Sequence, residues 1–397
     1  MNTILTIGSN AINPVFSAGQ TQQDQLETVS EDALSNGLTL YQQDDYDSAA
    51  NDFREAIALS PNSSYTQESY DYLVQSLLNL NQTNEAINTC KQAIQSDPTN
   101  DSYYTALGDI YYSLGQYSDA AAVYKQAAQL NPSSAEDWYS LGQAYNQTGN
   151  YAGAEQAFQR ISTLDPVDAA FGLGQTYHLM GNYSAAVSEL QSAIALNPQL
   201  GYAYLELGEV YTDEKKFNQA QEQVTALSSI DSSLASQLTS YIDQNESPQI
   251  IAAYSTDFNS TAGPGTEVSD LSPSLAAPNS SEDFTMQFTF SQPMDPSTVT
   301  SPAYWSITKA YGQIPGSDYN YGLPLPSTEV SISPIPASVT YDQNSQTADV
   351  TFQVTQNASG NGTLDPSHLV FAFSGLDAYG KAMDPAADEY SGISQIV

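Results

Sequence analysis

The chain has 397 residues, enough for two domains that each bury a core. Eight Lys or Arg against 45 Asp or Glu leave a formal charge of -37, which repels polyanions and excludes nucleic acid and anionic lipid as partners. One cysteine, Cys90, and two histidines, His178 and His368, exclude a disulfide framework and leave little material for a metal or catalytic centre.

Residues 1–29 read as an apolar strip followed by a polar tether. Ile4, Leu5, Ile7, Ile12, Val15 and Phe16 form a β-prone donor strand, and residues 18–29 are polar. Such a strand has three fates: addition to the sheet edge of another subunit, folding back on its own chain, or disorder. Donation in trans is the expectation carried forward. Met1 to Gln20 shows neither a charged leader region nor a sustained apolar core, so a removed signal preceded this chain or export is signalled elsewhere. No apolar run is long enough for membrane insertion.

A helical repeat occupies 30–246. Its clearest copy holds Tyr104, Leu107, Gly108, Tyr111, Tyr117, Ala120, Tyr124, Ala127 and Pro132, and the next holds Trp138, Leu141, Gly142, Tyr145, Tyr151, Ala154, Phe158 and Pro166. Later copies carry Leu173, Gly174, Tyr177, Tyr183, Ala186, Leu190, Ala193 and Pro198, then Tyr204, Leu207, Gly208, Tyr211, Phe217 and Ala220. Earlier ones carry Tyr70, Leu73, Leu77, Ala86, Ala93 and Pro98, preceded by Gly37, Tyr46, Ala49, Phe53, Ala56 and Pro61. This pattern resembles the tetratricopeptide repeat (TPR), and the resemblance implies six antiparallel helix pairs closed by a capping helix, Leu234 to Ile242. Small residues at fixed phase let the helices of a pair approach closely, and proline stops the second helix of most pairs. Val74 stands where glycine is expected, and Ser232 replaces the last proline.

In TPR peptide receptors, lysines and asparagines on the first helices clamp a terminal carboxylate. The equivalent positions here, Asp109, Tyr112, Gln143, Asn146, Gln175, His178, Glu209 and Thr212, include no cation, which argues against that clamp. The concave-face set Tyr112, Gln143, Asn146, Gln175, His178 and Glu209 fits a neutral or basic polar partner, or is simply a solvated face.

At 247–283 the helical period gives way to a linker and first strand. From 284 to 397 the chain reads as an antiparallel β-sandwich, with alternating strands at Phe284–Phe290, Val330–Ile332, Val350–Val354 and Leu369–Phe373. The segment Phe288 to Val299, with Trp305-Ser-Ile307 behind it, resembles the opening hairpin of bacterial Ig-like domains of surface-layer and other secreted proteins. Gly375 to Met383 is similar to their closing motif, an aspartate ahead of a glycine turn. The fold class expected is therefore multidomain α and β, a six-repeat TPR solenoid followed by an Ig-like sandwich.

No phosphate-binding loop, nucleophile elbow or zinc motif is present, so no catalytic residue, cofactor or metal site is expected. Asp377, Asp384 and Asp388 are weighed as a Ca²⁺ turn and read as solvated turn acids. Ten Asn-x-Ser/Thr sequons, at Asn62, Asn81, Asn100, Asn146, Asn182, Asn245, Asn259, Asn279, Asn357 and Asn361, fit either attached glycans or turn chemistry. A polar surface low in lysine points to an extracellular or cell-surface setting. The function expected is a structural subunit that polymerises with itself, head to tail, through the donor strand; the alternative is a monomeric TPR adaptor for other surface proteins or peptides.

Overall fold

A computed structural model describes residues 13–311 and 318–392. It divides into two compact units, Met1–Val210 and Tyr211–Val397.

The first unit is helical. Its elements are α1 (Asn13–Gln42), α2 (Tyr46–Leu59), α3 (Thr66–Asn79), α4 (Thr83–Ser96), α5 (Asp101–Ser113), α6 (Tyr117–Leu130), α7 (Ala135–Gln147), α8 (Tyr151–Ile161), α9 (Pro166–Leu179) and α10 (Tyr183–Leu196); α11 (Gly201–Asp213) crosses the boundary. Side-chain caps start several of them: Asn100 accepts from the Ser102 N–H, Ser134 from Asp137, Asn150 from Gly153, and Asp165 from Val167 and Asp168. Each turn from an odd to an even helix carries one left-handed residue, in order Asp44, Asn81, Gly115, Gly149, Gly181 and Lys215. The amide after it closes the turn: Gln116 N–H donates to the Tyr111 carbonyl at 2.8 Å, and Asn182 to Tyr177 at 2.8 Å.

Packing inside each pair follows a rule of complementary size. A Cβ placed on Gly37 would sit 2.6 Å from the Phe53 ring; on Gly108, 2.4 Å from Tyr124; on Gly142, 2.6 Å from Phe158; on Gly174, 2.6 Å from Leu190. In every case the large residue lies sixteen positions after the glycine. Val74, the exception to the glycine phase, has Cys90 at that offset, so the large and small members have exchanged places within one core. Ala49, Ala86, Ala120, Ala154, Ala186 and Ala220 are all fully buried at the matching phase.

The N-terminal segment departs from the sequence reading. Val15 and Phe16, expected in a strand, and residues 18–29, expected as a tether, lie in α1. A helix pairs its own backbone groups, whereas a lone strand must find a partner, and glutamine, leucine and glutamate between Gln20 and Glu27 favour the helix. Further on, buried Ala33 and Leu34 hold α1 to the core, and the buried Ser30 hydroxyl donates to the Ala56 carbonyl at 2.8 Å. Ile4, Leu5, Ile7 and Ile12 lie outside the described residues.

The second unit contains the end of α11, α12 (Phe217–Leu227), α13 (Ser232–Asn245) and the β region. The strands are β1 (Ile250–Tyr254), β2 (Thr266–Glu267), β3 (Ser281–Phe290), β4 (Trp305–Lys309), β5 (Ser338–Asp342), β6 (Thr347–Thr355), β7 (Thr363–Leu364), β8 (Leu369–Phe373) and β9 (Glu389–Ser391). They form antiparallel sheets ordered β1-β3-β6-β5 and β4-β8-β9, with a short β2-β7 pair. Alternation along β3 turns Phe284, Met286, Phe288 and Phe290 inward, and Trp305, Phe371 and Phe373 from the three-stranded sheet meet them in one core. The Phe288 ring lies 5.1 Å from Trp305, and Phe290 5.3 Å from Phe373.

One expected strand is absent among the described residues. Val330 to Ile332 is not a strand; single bridges pair Glu329 with Thr363 and Ile332 with Val354. Residues 247–283, read as a linker and first strand, contain β1 and also bury Phe258, Val268 and Leu275 in the β core. Helix α13 also belongs with this unit rather than with the repeats alone. The side-chain amide of buried Gln292 donates to the Asp377 carboxylate at 2.5 Å and to the carbonyls of Asp243 and Glu246 at 3.2 and 3.4 Å.

Candidate interaction face

The odd-numbered helices form one row, stitched by side chains about one repeat apart. The Tyr41 hydroxyl of α1 donates to Gln75 of α3 at 3.1 Å, and Thr105 of α5 donates to Asp137 of α7 at 2.5 Å. Gln143 of α7 donates to Gln175 of α9 at 2.8 Å, and Gln175 reaches Glu206 of α11 at 3.4 Å. Glu206 also lies 2.6 Å from His178 Nδ1. Three expected residues, Gln143, Gln175 and His178, are thus brought together, with Glu206 as the member the sequence reading missed.

The other expected residues separate. Tyr112 packs edge-on against Tyr117 at 5.0 Å, and Glu209 stands half-buried on α11. Asn146 is not on the face. It is buried between α7 and α9, where the Thr176 hydroxyl lies 3.1 Å from its Oδ1.

Charge divides the helices sharply. The six odd helices from α1 to α11 carry 14 Asp or Glu and no Lys or Arg, while the six even helices from α2 to α12 carry eight acids and the four cations Arg54, Lys91, Lys125 and Arg160. Three of those cations are engaged: Arg54 pairs with Glu85 of α4 at 3.2 Å, while Arg160 lies 5.9 Å from the Trp138 ring on α7 and Lys91 6.0 Å from the Tyr111 ring on α5, so two of them reach odd helices.

Within the row, α3, α5 and α7 enclose an open cavity of about 520 Å³. Val74, Leu78, Ala106 and Ile110 supply its apolar wall, and Asp71, Asp101, Asp109, Glu136 and Asp137 its carboxylates; no lysine or arginine lines it. Burial, with Glu68 nearby, pushes Asp71 up to about 6. Burial also raises Asp137, against the lowering effect of the Thr105 and Ser134 hydroxyls. Asp137 is 2% exposed, and among the described residues its Oδ2 has no hydrogen-bond partner. Of these acids only Asp109 was among the positions read as inward. The signal that finds the rest is the helix-by-helix count of charges, visible once the pairs are phased.

Elsewhere the chemistry is structural. Asp365, Ser367 and His368 cluster, with His368 Nδ1 at 2.9 Å from Asp365 Oδ1 and 3.0 Å from the Ser367 hydroxyl, but all three are buried in one turn with Tyr321 edge-on to the imidazole. Asp377 accepts from the Tyr379 and Lys381 amides at 2.9 and 2.7 Å and closes the turn at Gly380 (φ +84°). It is a buried turn-builder, not the solvated acid expected. Burial pushes the Cys90 thiol up to about 12, which leaves it unreactive. Of the sequon asparagines, Asn62, Asn81, Asn182, Asn259, Asn279 and Asn361 are exposed, Asn100, Asn245 and Asn357 half-buried, and Asn146 buried.

Models of the tetratricopeptide repeat match residues 37–63, 72–135 and 105–169, and a TPR repeat model matches 174–213. The helical region is an array of these repeats. Solved structures similar to the chain include a tetratricopeptide repeat protein of Parabacteroides merdae (20% identity, covering 54% of this chain and 86% of that one, TM-score 0.48). MamA is similar at 27% identity (42% and 92% covered, TM-score 0.37). So is YrrB, described as a TPR protein with an unusual peptide-binding site, at 20% identity (47% and 97% covered, TM-score 0.37). No curated protein matches the chain.

Proposed function

We propose that this tetratricopeptide-repeat array is a non-enzymatic protein-binding scaffold that takes a basic, extended segment of a partner protein along its odd-helix face. The observation that carries the reading is the division of charge, 14 acids and no lysine or arginine on the odd helices. A face of that composition attracts cationic chains over a screening length and rejects acidic ones. The setting we propose is secreted or cell-surface, supported by the scarcity of lysine and arginine and by the exposed sequon asparagines. The β region we read as an Ig-like sandwich serving as spacer or anchor, supported by its two antiparallel sheets and shared core.

Calorimetric titration tests the scaffold reading, with one unstructured Gly/Ser peptide carrying three arginines and a second carrying three glutamates. Binding of the first that weakens as salt rises, with none of the second, is the expected result. Equal binding of both, or of neither, overturns it.

Polymerisation through residues 1–12 is the second reading. It is favoured by β1, an edge of the four-stranded sheet with Ile251 and Tyr254 exposed. Sedimentation of the full chain against a chain lacking residues 1–12 decides it: polymers formed by the first alone support donation, and equal behaviour excludes it.

A further inference from the structure

We infer that the cavity between α3, α5 and α7 is a socket for a single lysine or arginine side chain of the bound segment, with Asp137 as the carboxylate that receives its cationic head. This rests on the scaffold reading and adds the anchoring site to it.

Buried carboxylate oxygens are nearly always hydrogen-bonded, because an unpaired one keeps its desolvation penalty with nothing in return. The Thr105 hydroxyl satisfies Asp137 Oδ1 at 2.5 Å, while Oδ2 is left without a partner in a residue that is 2% exposed. An asparagine or serine would meet Thr105 equally well, so the bond to Thr105 does not account for a second buried oxygen. A donor arriving from outside does.

The shape of the cavity names the donor. Val74, Leu78, Ala106 and Ile110 line the cavity with apolar surface suited to a methylene stem, and Asp71, Asp101, Asp109 and Glu136 line it beside Asp137, giving a cationic head negative surroundings. Lys and Arg are the side chains that join an aliphatic stem to a cation, and they bury the stem while the charge finds partners. A bare metal ion fits less well: among the described residues, no group of three His, Cys, Asp or Glu is placed to hold one. None of the chain's own described cations lines the cavity.

The test uses the three-arginine Gly/Ser peptide, its three-citrulline counterpart and the full-length protein. Citrulline keeps the stem and shape while removing the charge. Asp137→Asn is expected to weaken the arginine peptide at least tenfold, and Glu55→Gln, an exposed acid on the even helix α2, less than twofold; the citrulline peptide should not bind. If arginine peptide binds wild type and Asp137→Asn alike, the socket is wrong and the scaffold reading stands, with water satisfying Oδ2. If it binds neither, both fail. Ala106→Lys keeps the proposal falsifiable should Asp137→Asn not fold, because it tethers a cation inside the cavity. That variant should melt higher than wild type and lose the arginine peptide; unchanged binding overturns the socket.

Discussion

Thr105 and Asp137, on neighbouring odd helices, are joined by a 2.5 Å hydrogen bond inside the core while the second carboxylate oxygen of Asp137 stays unpaired. That asymmetry makes Thr105 the side chain most exposed to test. Thr105→Val preserves shape and removes the donor, leaving two buried oxygens unsatisfied. A loss of about 1–3 kcal/mol in denaturant unfolding is expected. Adding Asp137→Leu to Thr105→Val should recover part of it, since a buried polar pair replaced on both sides is often near neutral. An unchanged midpoint for Thr105→Val would contradict the bond.

The exchange of large and small at Val74 and Cys90 makes a second prediction. Cys90→Phe alone overfills the pair and should destabilise the chain by about 1–3 kcal/mol. Combined with Val74→Gly, it restores the glycine–aromatic arrangement seen at Gly142 and Phe158. The double variant should then be clearly more stable than Cys90→Phe. Simple additivity of the two single effects would show that the positions do not share a space.

Stability where α13 meets the β region should fall as pH rises. Burial, with Asp377 nearby, pushes Asp243 up to about 6, and burial, with Asp243, raises Glu246. A carboxyl that holds its proton more tightly when folded stabilises the fold below its ordinary range, and that contribution is lost as pH climbs through about 6. Hydrogen exchange at the α13 amides, referenced to intrinsic rates, should show less protection at pH 7 than at pH 4.5. Asp243→Asn should flatten the difference. Greater protection at pH 7 in the wild type would refute the assignment.

If the chain is exported and glycosylated, occupancy should follow exposure. Glycopeptide mapping of native material is expected to find sugar at some of Asn62, Asn81, Asn182, Asn259, Asn279 and Asn361 and none at Asn146, which is buried. An unmodified protein would leave the sequons to caps and turns, as Asn100 and Asn182 already serve.

Absence of a cation from the odd helices makes the last prediction. Peptides with a free terminal carboxylate should bind no better than their amides. A tenfold preference for the free acid, about 1.4 kcal/mol, would reinstate the clamp.

The sequence by itself determined what repeats locally. Gly108 and Tyr124, Gly142 and Phe158, the buried alanines, the inward phenylalanines of β3 and the Asp377–Gly380 turn were legible because helix and strand periods fix which residues share a face. Tertiary structure alone decided the rest. It joined α13 to the β region through Gln292, hid Asn146, brought Glu206 to His178, and left one oxygen of Asp137 unpaired. Those outcomes depend on which polar atoms meet between elements about 30 or more positions apart, and a buried hydrogen bond made or missed at that separation has no period for the sequence to display.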